Sequence, residues 1–379
     1  MDHAGNLSQW YRRDVARFPS LSTAGNAVPA SIFARLREHL ATFQGDVIPL
    51  QIGDTHLDPP ATLDDVSWHD PRDLYAYGAP GGWQPLVEAI AAARSLTESQ
   101  VQIAIGATHA LSCAVQALCD RGDELILMTP HWPLIRGIAL AHGVTPVEIP
   151  FDADIPITPR TTAIYVASPN NPDGAMLDAA QRARLAELAQ RHGLWLLSDE
   201  VYEHYAYDAE HVPLAAVAPD RTITVFSFAK SYAQAGLRVG YALGPEGAIA
   251  AIRKLVNHSV YNVPVAMQRA ALSAVRAGGG WVDAARARYR AARDRARARL
   301  HAPAATPAGG AYLWVDLSRW SGSDCMPVLE KIAAAGVLLA PGWAFGEACG
   351  SHARLCFTGV DEPRLDEGID RINRVLDRL

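Results

Sequence analysis

The sequence predicts an α/β fold with a mainly parallel sheet at its centre. From about residue 100, short runs of continuous apolar residues alternate with segments of helical periodicity, which is typical of strands buried on both faces by helices. Glycines and polar side chains follow the ends of these runs, namely Gly106, Asn171, Asp199 and Lys230. Because ligands bind beyond the carboxyl ends of such strands, we expect these four residues to lie at one edge of the sheet.

Periodicity assigns the individual elements. Leu111, Ala114, Val115 and Leu118 fall on one face of a helix in HALSCAVQALCDRG. A second helix, AAQRARLAELAQRHG, ends at Gly193, a residue type that commonly terminates helices. The strand in TTAIYVASPNNPDG runs into a turn-rich loop. The predicted strands, in chain order, are QIAIGA, DELILMTP, TTAIYVA, LWLLSDE, TITVFSFAKS and VGYALG.

The length of 379 residues is sufficient for two domains, because single cores rarely grow past roughly 250–300 residues. We assign residues 46–276 to a large domain that holds the sheet. Residues 1–45, with the helical stretch PASIFARLREHLATF, and residues 277–379 together form a smaller α+β domain. The predicted elements after residue 277 are a long Arg/Ala helix, the strand AYLWVDL, a helix near 328–335, the segments VLLAPG and ARLCFTG, and an amphipathic helix, RLDEGIDRINRVLDRL.

Composition excludes several classes of protein. A formal net charge of −6 with scattered basic residues argues against a nucleic-acid partner, and the one dense run, Arg286 to Arg299, is interpreted as a solvated helix. Five cysteines without a CxxC pair indicate neither a disulfide framework nor a metal site. Since the sequence lacks a signal peptide and an apolar run of about 18–20 residues, we expect a soluble cytoplasmic protein without a membrane partner.

Lysine is scarce, because only three of the 34 basic residues are lysines. A lysine that forms an imine must be partly desolvated, so that its amine is neutral and nucleophilic. Lys230 follows a strand and lies among small residues in SFAKSYAQAGLRVG, whereas Lys254 and Lys331 lie in helical segments beside charged residues. Lys230 is therefore the candidate for imine chemistry, and an ordinary surface lysine is the alternative interpretation.

Asp199 closes the strand LWLLSDE. A buried carboxylate at this point could face a protonated pyridine nitrogen and keep it charged, so that the ring acts as an electron sink. A strand-end or helix-capping role is an equally common alternative. Tyr202 follows three residues later and could place its hydroxyl near a phenolic oxygen of the same ring, although a lone tyrosine at this spacing more often packs in a core.

The segment GATHAL is a candidate anion site. It places Gly106, Ala107 and Thr108 at the start of a helix, where free backbone N–H groups and the helix dipole attract anions. Ser227 and Arg238 flank Lys230 and could add a hydroxyl and a guanidinium to the same phosphate. Many strand-to-helix turns share this pattern, so it is weakly specific when taken alone.

Two further residues are candidates for ligand contacts. Trp132, in TPHWP, could stack on a flat ring, although core packing is the commoner role of a tryptophan. Arg354 is an isolated cation in the apolar strand HARLCFTG, and burying a guanidinium without an anionic partner is costly. Its partner is either a structural Asp or Glu or the carboxylate of a substrate.

Together these segments resemble the class I/II aminotransferases, which are fold-type-I pyridoxal-phosphate enzymes, over essentially the whole chain. The most specific segments are SPNNPDG (168–174), SDEVYEHYAYD (198–208) and SFAKSYAQAGLRVG (227–240). Four other segments also resemble family segments, and all seven occur in the order that the family has: IGDTHLDPP (52–60), YGAPGGWQPLVEAI (77–90), APGWAFG (340–346) and HARLCFTG (352–359). The resemblance implies that the large domain is the cofactor-binding domain of that fold and that the cofactor is pyridoxal 5'-phosphate.

The resemblance also implies how individual residues act on this cofactor. Lys230 would carry it as a Schiff base and move the proton during the reaction, while Asp199 would pair with its pyridine nitrogen. Asn171 and Tyr202 would hydrogen-bond its phenolic oxygen, and Trp132 would stack on its ring. The residues that would bind its phosphate are Gly106, Ala107, Thr108, Ser227 and Arg238.

Substrate and partner contacts follow from the same resemblance. Arg354 would bind the α-carboxylate of the amino acid, beside Asn171, Trp132 and the Gly53 backbone. Tyr77 matches the tyrosine that family members donate to the neighbouring subunit's phosphate, which implies a homodimer with shared active sites. The implied reaction is ping-pong transamination between an L-amino acid and a 2-oxo acid, and no metal takes part.

Two departures from the family pattern bear on the substrate. Asp173 stands where the family usually has threonine. The segment NNPDG, with aspartate at this position, resembles the plant tryptophan-aminotransferase and alliinase branch of the family. The aspartate-specific branch uses a further arginine for the side-chain carboxylate, and the stretch VNHSVYNVP (256–264) offers Asn257 and His258 but no arginine. We therefore expect neutral, aromatic or unusual amino acids as substrates rather than dicarboxylic ones.

Other functions stay open as alternatives. A C–S β-lyase, or another lyase or oxidase on the same cofactor, would share every residue named for the cofactor. A nicotinamide dehydrogenase would need GxGxxG after its first strand, which this sequence lacks. A ligand-sensing regulator built on this fold would carry a DNA-binding extension, and the N-terminal 45 residues are too short and insufficiently basic for one.

Overall fold

A computed structural model describes residues 20–30, 36, 40, 43–66 and 71–379 of the chain. Residues 1–19 and most of the helical stretch predicted over residues 29–43 lie outside the described residues. The strands, in chain order, are β1 Ile48–Pro49, β2 Val101–Ala104, β3 Glu124–Thr129, β4 Thr145–Pro150, β5 Thr161–Ala167, β6 Trp195–Asp199, β7 Thr222–Ser227, β8 Gly240–Leu243, β9 Tyr312–Asp316, β10 Val337–Leu338, β11 Ala340–Pro341 and β12 His352–Cys356.

The helices alternate with these strands through the central part of the chain. In chain order they are α1 Thr23–Ala27, α2 Pro71–Tyr75, α3 Gln84–Arg94, α4 Gly106–Leu118, α5 Pro133–Ala141, α6 Ala179–His192, α7 Phe228–Ser231, α8 Glu246–Val260, α9 Val265–Arg299, α10 Ser318–Ser321, α11 Met326–Ala334 and α12 Glu362–Leu376.

Seven strands form the main sheet in the order β2-β8-β7-β6-β5-β3-β4. Strand β8 runs antiparallel to both of its neighbours, and the other six strands are parallel to one another. From β3 the chain continues outward to β4, whereas from β5 it continues in the opposite direction through β6 to β7. The strand order therefore reverses between β3 and β5, and the crevice at such a reversal is the usual ligand site of an α/β sheet.

The predicted α/β class with a mainly parallel sheet is confirmed. The sheet is buried on both faces, since Leu111 and Val115 of α4 belong to the core on one face and Leu185 and Ala189 of α6 to the core on the other. Helix α6 has the ends that its sequence favours: Asp178 forms a capping box with Gln181, and the residue after the helix is Gly193 at φ 70°.

One strand of the main sheet, β4, is not among the strands predicted from the sequence. Strand β4, TPVEIP, contains Pro146 and Pro150, and proline cannot donate a hydrogen bond to a neighbouring strand. The strand is tolerated because it lies at the edge of the sheet and pairs only with β3.

A second core lies around two smaller sheets. Strands β11, β12 and β9 form an antiparallel sheet, and β1 pairs in parallel with β10. The core combines residues of these strands with α11 and α12 and also takes in Ile48 and Leu50 from the N-terminal side. The proposed boundary at residue 46 therefore lies directly before residues that belong to the second core.

Helix α9 joins the two cores. It begins at Val265, earlier than the Arg/Ala helix expected after residue 277, and continues for 35 residues. Leu272 near its beginning packs in the core of the main sheet, and Tyr289 and Ala296 pack in the second core. The proposed boundary between residues 276 and 277 consequently lies inside one continuous helix.

The arginine-rich end of α9 is more than a solvated surface. Arg293 is 3% exposed, donates to the Pro307 carbonyl over 2.9 Å and pairs with Asp208 at 2.5 Å. Other arginines of this run, such as Arg288, are exposed. Among the described residues, no helix is both long enough and apolar enough to cross a membrane.

Gly240 brings β8 close to the start of α4. A Cβ atom at this position would lie 2.7 Å from the Ala107 nitrogen and 2.8 Å from the Phe226 carbonyl oxygen, so the backbone itself would have to move. Gly240→Ala is expected to lower the free energy of unfolding by about 1–3 kcal/mol. Chemical denaturation measures this change.

Gly279→Ala is the matched control for this substitution. Gly279 lies inside α9, and nothing lies within 4 Å of the Cβ that alanine would add. Alanine is favoured over glycine in a helix, so this variant should be more stable by about 0.4–1 kcal/mol. Equal effects of the two substitutions would contradict the close approach of β8 to α4.

Candidate active site

A cavity of about 300 Å³ opens at the carboxyl edge of the main sheet, where the strand order reverses. Every residue proposed from the sequence for the cofactor or substrate lines it except Gly106 and Tyr77. The lining residues from that prediction are Gly53, Ala107, Thr108, Trp132, Asn171, Asp199, Tyr202, Ser227, Lys230, Arg238 and Arg354.

Both cores contribute to the cavity. Trp132 follows β3, Asn171 follows β5, and Asp199 is the last residue of β6, so the side chains gather where parallel strands end. Lys230 comes from the short helix after β7, whereas Arg354 lies on β12 of the smaller antiparallel sheet. The cavity therefore lies between the main sheet and the second core.

Asp199 is a buried carboxylate with neutral donors around it. The Tyr165 hydroxyl donates to Oδ2 over 2.9 Å, and the Val201 N–H approaches Oδ1 at 3.4 Å. Burial raises the pKa of Asp199 from 3.8 to about 6, and the Tyr165 hydrogen bond opposes part of this rise. A cation in the cavity would favour the ionised carboxylate, because opposite charges at close range stabilise each other.

Lys230 reaches across the cavity, and its Nζ donates to the Gly53 carbonyl. Burial lowers the pKa of the Lys230 amine, and the nearby carboxylate of Asp54 only partly offsets this effect. A lowered pKa increases the fraction of neutral, nucleophilic amine. The other two lysines, Lys254 and Lys331, are exposed on helices.

Backbone geometry makes the start of α4 an open anion cradle. Gly106 has φ +70°, and a Cβ there would lie 2.5 Å from the Arg238 guanidinium. The first N–H groups of a helix have no acceptor within the helix, and Ala107 and Thr108, in the first turn of α4, line the cavity. Ser227 and the exposed Arg238 add a hydroxyl and a positive charge beside them, and the combination suits a phosphate.

Two tyrosines share a hydrogen bond at the floor of the cavity. The hydroxyls of Tyr202 and Tyr312 are 2.5 Å apart, and both rings are buried. Burial holds the pKa of Tyr202 well above its ordinary value. The Tyr202 phenol therefore stays protonated and can donate a hydrogen bond to a ligand oxygen.

Arg354 is buried without a carboxylate partner in the described part of the chain. Its guanidinium donates to the Asn171 Oδ1 over 2.9 Å and to the Gln51 carbonyl, and its buried Nε has no hydrogen-bond partner among the residues that the structure describes. The guanidinium lies 4.2 Å from the Tyr312 ring centroid and 4.9 Å from that of Phe345. The sequence left two candidate partners for Arg354, a structural Asp or Glu and the carboxylate of a substrate. Within the described residues, no Asp or Glu pairs with it.

Three residues of the site were missed from the sequence. Tyr165 holds Asp199, Tyr312 holds Tyr202 and stacks on Arg354, and the Gln51 carbonyl accepts from Arg354. A tyrosine inside an apolar strand is a usable signal for Tyr165 and Tyr312, because a buried hydroxyl needs a partner. The Gln51 carbonyl is a backbone group and carries no side-chain signal.

Tyr77 lies away from this cavity. It is 83% exposed, and its ring centroid is 4.6 Å from that of Tyr261. Within one chain it therefore contacts none of the residues gathered around Lys230.

Comparison with known proteins places this geometry in a family. The family model of aminotransferase class I and II matches residues 45–372. The aspartate/prephenate aminotransferase of Thermus thermophilus is 33% identical, over 97% of this chain and 98% of that protein. An arginine–pyruvate transaminase of Pseudomonas aeruginosa is 32% identical, over 86% of this chain and 89% of that protein.

A solved structure agrees with the sequence comparison. A single mutant of Thermus thermophilus aspartate aminotransferase has a TM-score of 0.87 and 31% identity, covering 94% of this chain and all of that one. That protein therefore has the same fold as this chain, including the main sheet and the second core. The chain belongs to the aminotransferase class I and II family and is a transaminase of the pyridoxal-phosphate-dependent, fold-type-I kind.

Proposed function

We propose that this aminotransferase uses pyridoxal 5'-phosphate bound to Lys230 to move an amino group between an L-amino acid and a 2-oxo acid. One observation carries the proposal: a lysine of lowered pKa, a buried carboxylate and a carboxylate-free guanidinium all face one cavity. These are the three groups that a covalently held pyridine cofactor and an amino-acid carboxylate require.

The donor set fits the cofactor at both of its ends. The start of α4, with Ser227 and Arg238, offers N–H groups, a hydroxyl and a cation to a phosphate. Asp199 offers a carboxylate to a ring nitrogen, and Trp132 lines the same cavity. Because Gly106 has no Cβ, the Arg238 guanidinium can lie close to its backbone. This close approach supports a phosphate-binding role for the start of α4.

Bound pyridoxal phosphate supplies a carbonyl carbon that amines attack and a ring that accepts electron density. Asp199, when ionised, would keep a ring nitrogen beside it protonated and charged. Tyr202 and Asn171 would hold the ring oxygen by hydrogen bonds. The Lys230 amine, when neutral, would act as the base that takes the proton from the donor α-carbon.

Arg354 is the proposed carboxylate anchor. Its planar guanidinium can bind both oxygens of a carboxylate, and Asn171 already orients it. We propose that the amino donor is neutral, aromatic or unusual rather than dicarboxylic. Each cation lining the cavity, Lys230, Arg238 or Arg354, already has a proposed role, which leaves no described cation there for a second carboxylate.

We propose a cytoplasmic homodimer in which Tyr77 contacts the cofactor phosphate of the partner subunit. The exposure of Tyr77 and its position outside the cavity of its own chain support this assignment. Tyr261, whose ring packs against Tyr77, is 47% exposed, and Tyr75, two residues before Tyr77, is 82% exposed. A subunit interface would cover such groups.

Lys230→Ala is expected to abolish turnover, by roughly 10⁴-fold or more, because Lys230 carries the only amine among the described residues that line the cavity. Borohydride treatment followed by mass spectrometry should fix the cofactor to the native chain and not to the variant. Lys254→Ala is the control, since Lys254 is exposed on α8. Native-like activity of Lys230→Ala would refute the assignment, and oxo-acid-independent release of ammonia and pyruvate from cysteine conjugates would favour a lyase.

Asp199→Asn is expected to lower kcat by about 10²–10³-fold and yet to stabilise the cofactor-free protein. The pKa of Asp199 is about 6 in the folded chain against 3.8 ordinarily, so ionising it there costs roughly 3 kcal/mol of stability. Asparagine avoids this cost and still accepts from Tyr165.

The size of this gain depends on pH. Well below the ordinary pKa of 3.8 the carboxyl is protonated in both the folded and unfolded chains, so the variant should gain nothing there. The gain should grow as pH rises from about 4 to about 6, the folded-state pKa of Asp199, and stay constant above it. Urea denaturation of the cofactor-free proteins at pH 4 and pH 8 measures it, and an equal difference at both values would disprove the mechanism.

Arg354→Lys is expected to reduce kcat/KM for amino donors by about 10²-fold, because an ammonium cannot bind two carboxylate oxygens in one plane. Formation of the cofactor adduct at Lys230 should be retained, as judged by its absorbance. Simple amines without a carboxylate should react equally well with both proteins. A parallel loss for such amines would show that Arg354 acts on the cofactor instead.

A further inference from the structure

A second cavity adjoins the first. It has a volume of about 660 Å³, and Trp132 and Arg354 line both cavities. Ligand pockets in proteins commonly measure about 300–1,000 Å³. A donor whose α-carboxylate binds Arg354 can therefore extend its side chain into this second space, which we call the side cavity.

The walls of the side cavity are apolar and open. Leu134 is 55% exposed, Trp343 is 42% exposed and Val28 is 41% exposed, and all three line it. Large apolar side chains exposed together commonly mark a binding surface. Phe345 completes the wall beside Arg354.

The charged residues of the side cavity are already committed to one another. Arg136 lies 3.3 Å from Glu148 and 3.4 Å from Glu347, so two carboxylates surround one guanidinium. His131 also approaches Glu148, at 3.3 Å. A second carboxylate on the donor would meet this acidic surplus, and like charges at close range are unfavourable.

The wall that carries Trp343 is held in place. Trp343 belongs to the short turn Gly342–Phe345, and the His131 N–H donates to the Phe345 carbonyl over 2.9 Å. The N–H of Glu347, two residues after Phe345, donates to Glu148 over 2.9 Å. The turn that carries the indole is therefore anchored at its backbone, and an anchored wall loses less entropy when a ligand packs on it.

We propose that the side cavity receives the side chain of the amino donor and selects large apolar, above all aromatic, side chains through Trp343 and Leu134. This inference rests on the proposed function, because it takes Arg354 as the anchor of the α-carboxylate. It adds the residues that discriminate between donors and the class of donor that they favour.

The first experiment measures binding without turnover. Calorimetry on the cofactor-loaded protein gives the dissociation constants of propionate, 3-phenylpropionate and succinate, which carry the carboxylate but no amine. 3-Phenylpropionate should bind at least about tenfold more tightly than propionate, and succinate should gain nothing. Tighter binding of succinate than of 3-phenylpropionate would overturn the proposal.

The second experiment compares donors. In Trp343→Ala the ratio of kcat/KM for phenylalanine to that for alanine should fall by about 10–100-fold, and Trp343→Phe should keep most of the native ratio. Val217→Ala, which shortens an exposed apolar side chain that lines neither cavity, should leave it unchanged. An unchanged ratio in Trp343→Ala, or a native preference for aspartate or arginine, would overturn the inference.

The two proposals fail in different ways. If no donor reacts with the native protein, the proposed transamination fails. If alanine reacts and phenylalanine gains nothing from Trp343, only the role of the side cavity fails.

Discussion

Two buried charges of opposite sign face one cavity without neutralising each other. Asp199 is held by the Tyr165 hydroxyl, and Arg354 by the Asn171 amide oxygen and the Gln51 carbonyl. Neutral dipoles lower the energy of a buried charge without cancelling it. Both ions stay available to a ligand because one ends a strand of the main sheet and the other lies on the smaller sheet.

The next carboxylate along the chain shows how the fold keeps its charges apart. Glu200 directly follows Asp199 but has a separate set of partners: it accepts from the Ser198 hydroxyl over 2.7 Å and from the Leu214 N–H over 3.1 Å, and its other oxygen lies 2.8 Å from His211. Asp199 has none of these contacts and instead lines the cavity. Glu200 is the first residue after β6, and its contacts hold its carboxylate beside Ser198 and His211, while Asp199 faces the cavity.

The sequence alone identified most of the groups that line the cavity, because chemistry in a parallel sheet concentrates where strands end. Asp199 and Lys230 could be found from local context, since each follows an apolar run. Tyr312 could not be assigned a role, because its contact with Tyr202 joins residues 110 positions apart. The sequence identified Arg354 as a buried cation. Whether a carboxylate of the described chain pairs with it depends on which segments pack around it, and local sequence does not show that.

Regular periodicity likewise made the main sheet predictable, and its exceptions have physical causes. Strand β4 carries two prolines that only an edge position allows. The early start of α9 was missed because its first turns pack on the main sheet and its last turns on the second core. The boundary placed between residues 276 and 277 falls inside this helix, and local sequence does not show which core each turn packs against.

Helix α9 has a mechanical consequence for the cavity between the two cores. Its 35 residues form a rod about 50 Å long, and each core holds one end of it. Two bodies that share a rod cannot pivot about it as they would about a loop. Any displacement of Arg354 relative to Asp199 must bend the helix or slide side chains along it, so the rod limits how far the cavity walls can separate.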